Sequence, residues 1–129
     1  MDQLVEWLGQ QLDEDERIAR RAGDSFRQIG ETGVIVATEG DRAEECASAN
    51  WAGVAEHIVV HDPARVLSEI DAKRQIIALH HQLEDAQEML DFCATCDVTG
   101  KYPEYPCTTL RLLALPYADR PGYKESWRP

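Results

Sequence analysis

The feature that most constrains this fold is the dipeptide Asp62-Pro63 and the run behind it. Asp is a preferred helix N-cap, and Pro at the first helical position has no amide hydrogen to leave unpaired. Val66, Leu67, Ile70, Ile76, Ile77, Leu79, Leu83, Ala86 and Leu90 follow at helical spacing, which predicts a helix from 63 to about 91. The His-His pair at 80 and 81 marks a point where that helix can break. A helix this long needs partners along one face, and 129 residues supply one modest core and no more.

The N-terminal partner reads clearly. Over residues 2–22, Leu4, Leu8 and Leu12 recur every four positions, and Val5, Trp7, Ile18, Ala19 and Ala22 widen the stripe. Asp2 can cap the start, and Gly23 ends the helix. Asp13, Glu14, Asp15 and Glu16 would repel one another, but Arg17, Arg20 and Arg21 stand three or four residues further on and offset them.

Phe26, Ile29, Val34, Ile35 and Val36 are strand formers, and Gly30 and Gly33 bracket a short turn. They predict a β-hairpin, roughly 26–30 and 33–38, that must pack on a helix because an isolated hairpin is marginal in water. Residues 39–45 read as a polar loop, and 46–61 as a short helix through Ala49, Ala52, Val54, Ala55 and Ile58. From residue 93 the chain is loop-like, with Gly100, Pro103 and Pro106, until Thr108 or Thr109 caps a short helix over 108–115. The expected fold is therefore α+β: a small, mostly helical domain with one β-hairpin and a C-terminal zinc knuckle. It reads as a single domain over 1–129, divided into an acidic helix and hairpin (1–45), central helices (46–91), and the knuckle with the last helix (92–129).

The zinc enters through the cysteines. Cys93 and Cys96 form a Cys-x2-Cys pair, and Cys107 follows after ten intervening residues, at the start of the last predicted helix. Such a pair presents two thiolates to one tetrahedral ion, and a helix N-terminus favours a third. His80 and His81 are the nearest imidazoles for the fourth position, with His80 preferred. The geometry objects: along an unbroken helix, His80 would lie roughly 20 Å from Cys93 at about 1.5 Å per residue. Either the helix breaks soon after His81, or Asp97, His57, His61 or Cys46 closes the shell. Cys46 reads more simply as a buried free thiol. The alternatives to zinc are unliganded thiols or a Cys93–Cys96 redox pair, although no thioredoxin-like βαβ pattern surrounds it. Stable disulfides are disfavoured in a cytoplasmic chain.

His57 and His61 stand four apart and can meet on one helix face. The order Glu-His-x3-His is not the metalloprotease pattern, and no Ser-centred elbow or phosphate-cradling glycine loop is present. The sequence thus names no reaction.

Charge narrows the partners. The chain carries 13 Lys+Arg against 24 Asp+Glu, a net −11, and residues 1–60 hold −8 of it. A nonspecific grip on nucleic acid needs a basic face, so direct nucleic-acid binding is not expected. No apolar run is long enough to cross a membrane, and the N-terminus lacks a basic region followed by an apolar one, so a cytoplasmic protein is expected. The acidic end is either a solvated face or a surface for a basic protein partner.

Three stretches carry a resemblance. They are Met1-Asp2-Gln3-Leu4-Val5-Glu6-Trp7-Leu8; His61-Asp62-Pro63-Ala64-Arg65-Val66-Leu67 running on to His80; and Cys107-x-Thr109-Leu110-Arg111-Leu112-Leu113-Ala114 with Pro116 to Tyr123 and Trp127-Arg128-Pro129. Together they resemble an uncharacterised domain-of-unknown-function family of actinomycete bacteria and their bacteriophages. Members of that family typically carry a Cys-x2-Cys where this chain has Cys93 and Cys96. Many follow the second Cys with Gly, where this chain has Asp97, and a Thr-Pro-Gly-Pro-Trp stretch is replaced here by Gly23-Asp24-Ser25-Phe26. The resemblance implies a phage-related, cytoplasmic context and no reaction.

The expected function is a non-catalytic, zinc-containing binding or regulatory protein acting through a protein partner, its Zn2+ structural and held by Cys93, Cys96, Cys107 and His80. The alternatives are a small metal-dependent phage accessory enzyme and an acidic mimic of nucleic acid.

Overall fold

The computed structural model describes residues 2–85, 90–96 and 105–129, and the protein is an α+β fold. The element order is α1 (Gln3–Arg21), β1 (Ser25–Gln28), β2 (Val34–Glu39), β3 (Arg42–Ser48), α2 (Ala52–Val60), α3 (Pro63–Leu79), β4 (Gln82–Asp85), β5 (Leu90–Cys93) and α4 (Thr108–Ala114). Two 3-10 turns, Leu115–Tyr117 and Glu125–Trp127, follow. The chain divides into two compact units, one of Met1–Leu12 with Ala72–Pro129 and one of Asp13–Asp71.

In the first unit the N-terminal stripe is the core. Leu4, Leu8 and Leu12 are buried, as are Leu110 and Ala114 of α4. Each buried leucine contributes about 1.5–3 kcal/mol relative to an exposed one. The Asp2 carboxylate accepts from the Leu4 and Val5 amides at 2.8 and 3.3 Å, making the expected cap. Trp7, Tyr123 and Trp127 form a ring cluster with centroids 5.5–5.7 Å apart, and the Trp7 indole donates to the Pro121 carbonyl at 3.0 Å. Gly122 is required here: its φ is +93°, and a Cβ would stand 2.7 Å from the Trp7 indole nitrogen.

The second unit is built on an antiparallel sheet of order β1-β2-β3. The expected hairpin is β1 with β2, in register Ser25↔Thr38 to Gln28↔Ile35. Of the segments read as a loop over 39–45 and as the start of a helix at 46, Glu39 ends β2, residues 40–41 make the turn and Arg42–Ser48 form strand β3, so α2 begins only at Ala52. Local propensity loses here to pairing. β2 carries Ile35 and Val36 into the core, and its second edge needs backbone partners that β3 supplies from Arg42 to Ser48. The ladder closes where the Ala49 amide donates to the Gly33 carbonyl at 2.7 Å. Only glycine permits that approach, since a Cβ on Gly33 would lie 1.9 Å from the Ala49 carbonyl oxygen. The register shifts between Ile35 and Val36, and Cys46 sits at this bulge, exposed rather than buried as expected.

Asp62 does more than cap. One carboxylate oxygen accepts from the Arg65 amide at 3.0 Å, and the other accepts from the Phe26 amide of β1 at 3.1 Å. The helix it starts ends at Leu79, not near 91. Residues 82–85 and 90–91, expected to be helical, join 92–93 in the antiparallel ladder β4–β5, in register Gln82↔Cys93 to Asp85↔Leu90.

Candidate metal centre

The end of α3 makes the centre. A helix leaves its last carbonyls without intrahelical partners, and here a neighbouring turn takes them. The Thr95 hydroxyl donates to the Leu79 carbonyl, the Tyr105 hydroxyl to that of His80 at 3.0 Å, and the Ala94 amide to that of His81 at 2.9 Å. The helix therefore stops where the turn carrying Cys93 and Cys96 can dock. The distance objection disappears with it, because β4 reverses the chain and β5 brings Cys93 back.

The His80 Nδ1 lies 3.3 Å from the Cys93 sulfur, 3.4 Å from that of Cys96 and 3.6 Å from that of Cys107. All four donor atoms fall within 4.8 Å of one another. A tetrahedral zinc with sulfur at about 2.3 Å and nitrogen at about 2.0–2.1 Å sets neighbouring N and S about 3.5 Å apart, so the donor spacing fits such an ion. Cys93 and Cys107 are 0% and 1% exposed, and Cys96 and His80 are half-buried. These four are the one group of three or more such donors among the described residues.

The thiols do not share one environment. Burial raises the Cys93 thiol, but the amides of Cys96 and Thr95, joined by the two neighbouring thiols, outweigh it and hold it below its ordinary value. Burial raises Cys107 despite the Leu110 amide, and burial with the two other sulfurs pushes Cys96 up to about 11. Burial also lifts the Tyr105 hydroxyl to about 12, reinforced by Asp2 and the nearby sulfurs. Three crowded sulfurs resist ionising together, and a divalent cation relieves that repulsion.

Cys107 is itself the residue preceding α4, so neither Thr108 nor Thr109 caps that helix; both lie inside it. His81 stands outside the cluster, with its Nδ1 at 3.2 Å from the Ala78 carbonyl. Cys46, His57 and His61 are also outside it, and Asp97, Gly100 and Pro103 lie beyond the described residues. The supporting residues Thr95 and Tyr105 carried no signal in the sequence, because a hydroxyl aimed at a distant carbonyl leaves no periodicity.

Fold and cluster together define a small α+β protein with a Cys3His group able to hold a metal ion. The chain matches the family of unknown function DUF6221 over residues 1–129 and belongs to that family. No curated protein and no solved structure gave a significant match. No helix among the described residues is long and apolar enough to cross a membrane.

Proposed function

We propose that the protein is a non-catalytic binding or regulatory module whose Cys3His group holds one structural Zn2+, and that it acts in the cytoplasm through a basic protein partner. The carrying observation is the approach of His80 Nδ1 to all three sulfurs at 3.3–3.6 Å. Four protein donors fill a tetrahedral shell and leave no position for water or substrate, the arrangement of structural rather than catalytic zinc. The partner is suggested by charge, since acidic surfaces speed encounter with basic proteins. The phage-related setting implied by the sequence resemblance suits a small regulator of this kind.

The test is elemental analysis of protein purified without chelator, with thiols kept reduced. One zinc per chain is expected, falling to near zero in Cys96→Ser. Wild-type protein without metal rejects the reading. A bound metal with an exchangeable water ligand moves the protein to metal-dependent catalysis. For the partner, capture at low and high salt is compared with a variant carrying Asp13, Glu14 and Asp15 as Asn or Gln. Retention that is indifferent to both salt and charge removes the acidic face from the account.

A further inference from the structure

A second cluster of metal-ligating side chains lies in the other unit and takes no part in the Cys3His group. His57 stands on the last turn of α2 and His61 is the residue that caps its C-terminus; both are exposed, with ring centroids 4.5 Å apart and planes inclined at 39°. The Nδ1 of His61 lies 2.8 Å from the His57 carbonyl oxygen. A carbonyl only accepts, so His61 donates through Nδ1, and the lone pair of the neutral ring is fixed on Nε2. That is the habit of metal-binding histidines, whose second nitrogen is held by a carbonyl or carboxylate while the first faces the ion.

We propose that His57 and His61 form an open, exchangeable site for one divalent late first-row transition ion, with Ni2+ and Cu2+ preferred to Zn2+. Two imidazoles bound cis to one ion, with nitrogens at about 2.0–2.1 Å and an angle of about 90°, bring their ring centroids to about 4.5 Å. The observed spacing thus matches adjacent positions of a square-planar or octahedral ion better than two corners of a tetrahedron. Imidazole donors suit these ions, and α2 presents the negative end of its dipole where the cation would sit. Only two protein nitrogens are offered, so water completes the sphere and the ion exchanges. This differs from the closed Cys3His group and does not depend on it.

The experiment titrates Ni2+ into full-length protein while zinc content is followed separately, so that displacement at the cysteines is seen as zinc release and not counted as binding. Paramagnetic broadening of amide signals is read residue by residue. Broadening centred on residues 57–61, with affinity falling at least tenfold in His57→Gln and in His61→Gln, is the expected result. Melting curves without Ni2+ establish that the variants are folded, and in the wild type the position of the broadening tests the site without any substitution. Unchanged affinity in either variant, broadening centred elsewhere, or no binding at millimolar Ni2+ overturns the proposal.

Discussion

The two compact units differ in what holds them. Among the described residues, the unit of Met1–Leu12 and Ala72–Pro129 contains six of the seven largest fully buried side chains: Leu4, Leu8, Leu12, Leu110, Cys93 and Cys107. The unit of Asp13–Asp71 contributes only Ile35 to that set and leaves Ile18, Ile29, Trp51, Ile58 and Val60 exposed, against Leu79, Leu83 and Leu112 in the first. It also holds fourteen acids against six bases, whereas the remainder holds ten against seven. One unit is thus closed around leucines and sulfur, and the other relies on a ladder, a few caps and a thin core. In so short a chain, apolar area alone gives little margin, and a metal group is a common remedy.

That contrast can be broken most forcefully at the cysteines. Structural zinc in small domains is worth about 10–16 kcal/mol, comparable to the whole stability of a domain at about 5–15 kcal/mol. Chelation, or Cys96→Ser, is expected to lower the melting temperature sharply, and hydrogen exchange should show α4 losing protection before the β1–β3 ladder. Equal loss in both units would show that the metal is not what separates them. The metal-free protein sharpens the point through pH. The Cys96 thiol rises from 9.0 to about 11 in the fold, so the folded state holds its proton more tightly. By linkage that contribution is complete below pH 9.0 and is lost as pH rises towards 11, which urea melts of the apoprotein would record.

Within the sheet unit the largest expected loss is Gly33→Ala. The added Cβ meets the Ala49 carbonyl at 1.9 Å, so the end of the β2–β3 ladder must move, at about 3 kcal/mol in denaturant unfolding. Asp62→Ala follows at about 2 kcal/mol, more than an ordinary cap, because the Phe26 amide loses its acceptor together with that of Arg65. Smallest is Arg17→Ala, where a pair to Glu14 at 2.6 Å is about half exposed on both sides, and the melting curve should not move. A clear shift there would mean that the acidic run in α1 is held by more than solvated ion pairs.

Legibility followed the range of the signal. Helix α1, the β1–β2 hairpin and the start of α3 were readable because capping and periodicity act within a few residues. Strand β3 was not, since Arg42–Ser48 is exposed throughout and contains alanine and glutamate, which favour helices when read locally. Its strand character comes from the open edge of β2. The three cysteines were readable from spacing alone, whereas the choice of His80 over His81, Asp97 and the other imidazoles was open in the sequence.

The sequence by itself determined where α1 and α3 begin and which residues have metal-binding chemistry, because caps, prolines and Cys-x2-Cys turns are short-range devices. Only the tertiary structure decided where α3 ends. Its last carbonyls are taken by Thr95 and Tyr105, sixteen and twenty-five residues away. That ending turns His80 towards the sulfurs and lets β4 and β5 replace the helix expected there. A helix start is specified by the side chain that caps it. A helix end is specified by whatever partner satisfies its free carbonyls, and in this protein those partners are the cysteine turn and Tyr105.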